Sequence, residues 1–163
     1  MIKLGVLSDT HIHSLDAGIV LAERLLNGVF SDVDAILHAG DHVLSDLSNC
    51  FYPIPWYGVK GNMDEPIYNL PLQRILKIGG YNIGMIHGWG APQGVVKRVQ
   101  HHFSADDIDI LIFGHSHSPL CRSEGGVLLM NPGSPTEKRS SPFHTVGLLS
   151  LGESVNGEIV VID

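Results

Sequence analysis

Gly114-His115-Ser116-His117 follows directly on the apolar run Ile108-Asp109-Ile110-Leu111-Ile112-Phe113. That run is short, β-branched and bounded by glycine, the pattern of a strand buried on both faces. It places two imidazoles one residue apart just past a buried strand. A polar ring there is costly unless it finds a hydrogen-bond partner or binds a metal. Gly114 lets the backbone approach whatever the two rings hold. A lone His-x-His pair also suits a polar turn capping a core strand, so the rest of the chain has to decide between the two readings.

Outward from this stretch the same arrangement recurs. Residues 2 to 8 are an apolar run ending in Ser8-Asp9-Thr10-His11-Ile12-His13, and Asp34 to Ala39 is another, ending in Gly40-Asp41-His42. A third strand around Trp56 to Lys60 ends in Gly61-Asn62-Met63-Asp64. Arg74 to Ile78 and Tyr81 to Ile86 flank Gly79-Gly80 as a β-hairpin, and the second arm ends in His87-Gly88-Trp89-Gly90. Ligand crevices of α/β sheets lie at such carboxyl ends of strands.

Between the strands, Asp16 reads as the N-cap of a helix through about Phe30, with Ile19, Ala22, Leu25, Leu26 and Val29 on one face. Ser45 reads as the cap of a short helix carrying Leu47, Cys50 and Phe51. Pro92 opens a helix with Val95, Val96, Val99 and Phe103 on one face. Residues 120 to 123 and 127 to 130 form a hairpin around Glu124-Gly125-Gly126, Asn131-Pro132-Gly133-Ser134 is a turn, and 144 to 151 with 157 to 162 are closing strands. Strand-helix alternation at the start predicts an α/β layer fold.

Composition bounds the remainder. The 163 residues suit a single domain over 1–163. An apolar share of 44% excludes a disordered chain, and no run approaches the ~20 apolar residues of a membrane span. Met1 leads straight into a strand with no export leader, which makes the cytoplasm the expected location. Cys50 and Cys121 fit neither a disulfide framework nor a Cys-x-x-Cys zinc pattern and are read as buried thiols. A net charge of −7, with the ten Lys and Arg residues scattered, argues against extended nucleic acid as a partner. Ten histidines remain as the unusual feature.

Asp9, His11, Asp41, Asn62, His87, His115 and His117 each follow an apolar strand, and most sit beside glycine. Together the blocks D-x-H, G-D, G-N-x-[ED], H-G and G-H-x-H, in this order over residues 9 to 117, resemble the calcineurin-like metallophosphoesterase superfamily. The turn Asn131-Pro132-Gly133-Ser134 resembles its small bacterial and archaeal phosphodiesterase branch. The resemblance implies a four-layer α/β/β/α sandwich with two mixed sheets and two divalent metal ions between the sheet ends. It implies that Asp9, His11 and His117 hold the first ion, Asn62, His87 and His115 the second, and that Asp41 bridges them. Carboxylate, amide and imidazole donors without thiolate suit Mn, Fe, Ni or Zn, with Mn expected. Two such ions roughly 3.5–4 Å apart activate a bridging hydroxide and stabilise in-line displacement at phosphorus. The implied activity is hydrolysis of small phosphoesters, diesters ahead of monoesters.

In many members the G-N block continues with a histidine that resembles a leaving-group acid. Here that place holds Met63, which cannot donate a proton. The candidate catalytic residues are therefore Asp41 and Asn62, with His13 and His42 as substitute acids. His38 reads as a core or supporting ring, His101 and His102 as surface residues, Trp89 as packing ahead of a flank for substrate, and Lys138 and Arg139 as a solvated loop ahead of contacts to phosphate oxygens. Phe51-Tyr52-Pro53-Ile54-Pro55-Trp56-Tyr57 is aromatic enough for a homo-oligomer interface or for core. The competing reading is a non-catalytic scaffold of the same fold, like the retromer subunit. Completeness of the ligand set separates the two and favours the enzyme. An amidohydrolase barrel, which needs a longer chain with the His pair early, is discounted.

Overall fold

The computed structural model describes residues 1–66 and 69–163. Two five-stranded mixed sheets face each other. The first runs β10-β9-β1-β2-β3 and the second β4-β5-β6-β8-β7. In chain order the elements are β1 (Ile2–Leu7), α1 (Leu15–Leu26), β2 (Ala35–His38), a 3₁₀ turn (Leu47–Phe51), β3 (Trp56–Gly58), β4 (Gln73–Ile78), β5 (Tyr81–Ile86), α2 (Val95–His102), β6 (Ile110–Ile112), β7 (Leu120–Glu124), β8 (Val127–Asn131), β9 (Thr145–Leu151) and β10 (Val155–Val161).

Three apolar clusters make the layers. Leu4, Val6, Leu37, Ile83, Met85, Ile110, Ile112 and Leu149 meet between the sheets. Leu7, Leu21, Leu25, Phe30, Ile36 and Phe51 join α1 and the 3₁₀ turn to the outer face of the first sheet. Ile86, Val95, Val99, Phe103, Leu111 and Phe113 do the same for α2 on the second. The expected four-layer sandwich is present. Strands β1, β2, β5 and β6 read as continuous apolar runs because helices cover one face and the opposite sheet the other. No helix among the described residues is long and apolar enough to cross a membrane.

Several boundaries differ from the expectation. The N-cap of α1 is Ser14, not Asp16: its side chain accepts the Ala17 N–H at 3.2 Å, and Asp16 lies in the first turn. The helix stops at Leu26 instead of Phe30, because Phe30 turns inward and packs its ring against Gly5 of β1. The 3₁₀ turn is preceded by Asp46 instead of a Ser45 cap. Helix α2 starts at Val95, three residues after Pro92, since Gly94 takes a left-handed φ of 87°. In the aromatic stretch Phe51 is fully buried and packs on Trp56, while Tyr52 is exposed. Cys50 and Cys121 are free thiols but only half-buried, and burial raises both pKa values.

Candidate metal centre

Parallel pairing brings the donors together. β1 pairs with β2, and β2 with β3, in parallel, so Asp9, His11, Asp41 and Asn62 leave the same edge of the first sheet. β5 pairs with β6 in parallel and delivers His87, His115 and His117 from the second. Backbone bonds tie the loops at that edge: Asp9 N–H to Gly40 O at 2.9 Å, His11 N–H to Asp41 O at 3.0 Å and Gly114 N–H to His87 O at 2.9 Å.

The backbone at these strand ends is strained. Asp9 (φ 54°), His11 (42°), Asp41 (60°), His115 (69°) and His117 (57°) are all left-handed. That conformation costs an L-residue roughly 1–2 kcal/mol, least for short polar side chains. Strain of this kind clusters at functional sites. Two glycines complete the cradle. A Cβ on Gly61 would overlap Asp41 Oδ1 and its backbone N, and a Cβ on Gly114 would overlap Ser8 Oγ and lie 2.7 Å from Asp9 Oδ2.

Three imidazoles present one nitrogen each, because a backbone carbonyl holds the other. His87 Nδ1–H donates to Ala39 O (2.7 Å), His117 Nδ1–H to Glu137 O (2.9 Å) and His115 Nε2–H to Gly90 O (2.7 Å). Hydrogen bonds of this kind fix the tautomer and aim the remaining lone pair. His117 Nε2 lies 3.3 Å from His11 Nε2 and 3.4 Å from Asp9 Oδ1. Asn62 Oδ1 lies 3.1 Å from His87 Nε2 and 3.3 Å from His115 Nδ1. These are the two three-donor groups that the resemblance implied. Asp41 Oδ2 stands between them, 3.6 Å from His11 Nε2 and 3.3 Å from His87 Nε2. Asp9 Oδ1 does so as well, 3.9 Å from His11 Nε2 and 3.8 Å from His87 Nε2, so it joins both compact donor clusters, Asp9-His11-His117 and Asp9-Asp41-His87.

Burial opposes charge on His87, yet the hydrogen bond it donates to Asp41 and the nearby Asp9 charge raise its pKa above the ordinary value. For His117, burial is likewise outweighed by Asp9. Burial pushes Asp41 up, but His87 and the Met63 N–H bring it below the usual carboxylate range. His38 behaves oppositely. It is fully buried, lies beside other imidazoles, and its pKa is lowered well below the ordinary value. As a neutral ring it accepts the Gly40 N–H at Nδ1 (3.1 Å) and donates from Nε2 to Thr10 Oγ1 (3.0 Å), whose hydroxyl donates to Asp41 O (3.4 Å). The expected supporting role for His38 agrees with this chain.

His42 does not join the donor clusters. Its Nδ1–H donates to Asp64 Oδ2 (3.1 Å), its ring stacks on His38 at 3.6 Å, and it lines a separate cavity of about 150 Å³ with Ser48 and Trp56. Its Nε2 is buried and has no hydrogen-bond partner among the described residues. His13 is exposed, as are Met63, His101 and His102. Trp89, read from the sequence as packing, is 44% exposed and lines a cavity beside Asn62 and His87. Lys138 pairs with Asp163 at 3.5 Å, and the charge of Arg139 is felt at His117.

Sequence reasoning missed Asp64 as a hub. Its carboxylate accepts the N–H groups of Asp41 (2.9 Å), Gly61 (2.8 Å) and Val43 (2.8 Å) besides His42. The final position of the G-N-x-[ED] block was the available signal. The Asn131 to Ser134 turn also braces the site, with Ser134 Oγ donating to Asp9 O (2.7 Å) and Asn131 Nδ2 to Gly114 O (3.1 Å).

The residues fit divalent cations on one observation above all. Asp9 Oδ1 is fully buried with no hydrogen-bond partner among the described residues, while three imidazole nitrogens stand within 4 Å of it. A buried carboxylate oxygen left so is rare unless an ion completes it, and the thiolate-free donor set suits Mn, Fe, Ni or Zn.

Comparison with known proteins agrees. A probable metallophosphoesterase of Methanothermobacter thermautotrophicus is 35% identical over 159 residues, 96% of this chain and 91% of the relative. In fold the chain is similar to an archaeal phosphodiesterase (22% identity, TM-score 0.73, 98% of this chain and 100% of that one). It is also similar to Vps29 of Entamoeba histolytica in complex with zinc (24% identity, TM-score 0.71, 99% and 100% covered). The family model of the calcineurin-like phosphoesterase superfamily domain matches residues 2–154. That match runs from the first residue of β1 to the turn before β10, so every strand that delivers a donor lies inside it, and the chain belongs to the calcineurin-like phosphoesterase superfamily.

Proposed function

We propose that this protein is a metal-dependent hydrolase of small phosphoesters, diesters ahead of monoesters, working with two divalent ions, Mn foremost. One observation carries the reading: seven donor side chains from five strand ends converge, and three of the four imidazoles have one nitrogen fixed on a backbone carbonyl and the other aimed at the cluster. Asp9, His11 and His117 would hold one ion, Asn62, His87 and His115 the other, with Asp41 and Asp9 spanning them. Bound there, such ions polarise the phosphoryl oxygens and bring the pKa of water towards neutrality.

The protein's own contribution is orientation. The Met63 N–H donates to Asp41 Oδ1 at 2.8 Å and holds that carboxylate at a fixed angle. Asp64 locks the Asp41 and Gly61 backbones to each other, so Asn62 and Asp41 keep their relative positions through a catalytic cycle. With methionine at 63, no side chain of the G-N block supplies a proton to the leaving oxygen. The acidic balance of −7 disfavours long polyanions and supports a small substrate.

The test is a metal-by-substrate matrix on chelator-stripped protein: Mn²⁺, Fe²⁺, Ni²⁺ and Zn²⁺ against small aryl and alkyl diesters, monoesters and plain DNA. Turnover of small diesters with Mn²⁺ or a similar ion is expected. Full metal loading with no turnover of any phosphoester would overturn the reading in favour of a metal-binding scaffold.

A further inference from the structure

The geometry points to a specificity subsite next to the metal centre: a cavity that takes a flat aromatic ester group of the substrate, with Trp89 as its wall. The inference rests on the phosphoesterase reading for the position of the phosphorus. The cavity encloses about 490 Å³ and is bounded on one side by Asn62 and His87, the donors of the second ion, and on the other by Leu72, Ile86 and Trp89. The cavity therefore adjoins the place where a phosphorus would sit, within reach of a group attached to it. That volume lies in the range of small-molecule sites, which are mostly apolar with a few placed polar groups.

Leu72 is 70% exposed and Trp89 44% exposed. Two large apolar side chains left in water beside a cluster of buried charges are unexplained by packing, since neither contributes to the three core clusters. The backbone that carries the indole is also held in place. Arg98 Nε donates to Trp89 O at 2.7 Å, its NH1 donates to Gln93 O at 3.3 Å and its NH2 to Ala91 O, which clamps the loop between β5 and α2. The next carbonyl, Gly90 O, accepts from His115 Nε2 at 2.7 Å. The residue after Trp89 is thus hydrogen-bonded to an imidazole whose other nitrogen faces Asn62 Oδ1, which couples the backbone of the wall to the donors of the second ion. His102 packs edge-on against the indole, with centroids 5.9 Å apart at 77°, and fixes its tilt.

Aromatic rings pair with an indole in offset or edge-on geometry and gain beyond what their buried area gives, which a saturated ring of equal size does not. Lys60 also lines the cavity and is half-buried, with no ion-pair partner among the described residues. The occupant is therefore an aromatic ester group rather than a saturated one.

The experiment uses probes carrying one organic group each: methylphosphonate, cyclohexylphosphonate and phenylphosphonate. Their affinity for the Mn²⁺-loaded protein is measured by calorimetry for wild type, Trp89→Ala and Trp89→Phe. In wild type, phenylphosphonate is expected to bind at least ~10-fold tighter than methylphosphonate and severalfold tighter than cyclohexylphosphonate. Trp89→Ala should bring the phenyl-to-methyl ratio close to 1, and Trp89→Phe should restore most of it. Equal affinity for all three probes in wild type would overturn the subsite while leaving the phosphorus site intact. A phenyl preference that survives Trp89→Ala would overturn the role of the wall. If none of the three binds, the phosphoesterase reading fails and the subsite fails with it.

Discussion

The carboxylates of Asp9 and Asp41 are tethered in the same way. Asp9 Oδ2 accepts from Ser8 Oγ (2.8 Å) and the His115 N–H (3.0 Å), Asp41 Oδ1 accepts from the Met63 N–H (2.8 Å), and in both residues the second oxygen faces the histidines. Each carboxylate is thus half structural and half free to ligate, and each stands between the two histidine groups.

It follows that Asp41→Ala and Asp9→Ala should each lower the occupancy of both ions, whereas His11→Ala or His115→Ala should weaken mainly one. With several kcal/mol of charge stabilisation removed, the loss in turnover should reach at least ~10²-fold. Metal content per chain, measured beside activity, reads this directly. Full occupancy and turnover in Asp41→Ala would remove its spanning role.

Metal uptake should be strongly pH-dependent. His87 and His117 have raised pKa values, so protons hold the same nitrogens that an ion needs, and affinity falls as pH falls. In the metal-free protein the sign is reversed. A raised imidazole contributes stability that is full below its unfolded value of about 6.5 and is lost as pH rises through the folded value. His38, held neutral, tilts both states alike and cancels in their difference. The melting-temperature gain on adding Mn²⁺ should therefore grow between pH 6 and 8. A gain independent of pH would contradict the assigned tautomers.

Asp64 is held at about 2: burial opposes the charge, but the His42 ring and the backbone N–H groups outweigh it. A lowered carboxylate contributes stability that is present above its unfolded pKa and lost as pH falls through the folded one, so this hub stays intact down to strongly acid solution. Asp64→Asn forces an amide among four donors and should cost about 2–4 kcal/mol, because buried N–H groups lose a charged acceptor. Thermal unfolding at neutral pH checks the size. An unchanged melting point would show that the loops do not depend on Asp64.

On the proposed reading, Met63 offers the leaving oxygen no acid from the G-N block. A positioned acid contributes ~10²–10⁴-fold and matters most for poor leaving groups. Aryl diesters should accordingly be cleaved much faster than alkyl ones, with a steep dependence of rate on leaving-group pKa. Met63→His should flatten that dependence at matched metal loading, since position 63 is open to solvent and its backbone already sits at Asp41. A shallow wild-type slope would mean that another group donates the proton, with exposed His13 the first to replace.

The seven side chains that converge were legible because each follows an apolar run, and an unbroken apolar run of that length marks a strand buried on both faces however its ends are placed. What brings the donors together was not legible. The acceptors that aim three imidazoles are the carbonyls of Ala39, Gly90 and Glu137, and a carbonyl is the same in every residue. The cap of α1 was misplaced by two residues because Ser14 and Asp16 are both good caps, and only the bond to Ala17 N–H distinguishes them. Trp89 read as packing ahead of a substrate flank because an indole suits both; the bond from Arg98, nine residues away, to its carbonyl has no signature in the sequence.

The two sheets share an apolar interior and, among the described residues, meet in donors at one edge, Asp9, His11, Asp41 and Asn62 from one and His87, His115 and His117 from the other. Ions seated there would act mechanically as rivets across the sandwich. Pulling the protein apart along an axis that shears one sheet past the other should then meet a stiff joint when loaded and a soft one after chelation, while force that peels off the edge strand β10, two places from β1 in the sheet, should be far less sensitive to metal.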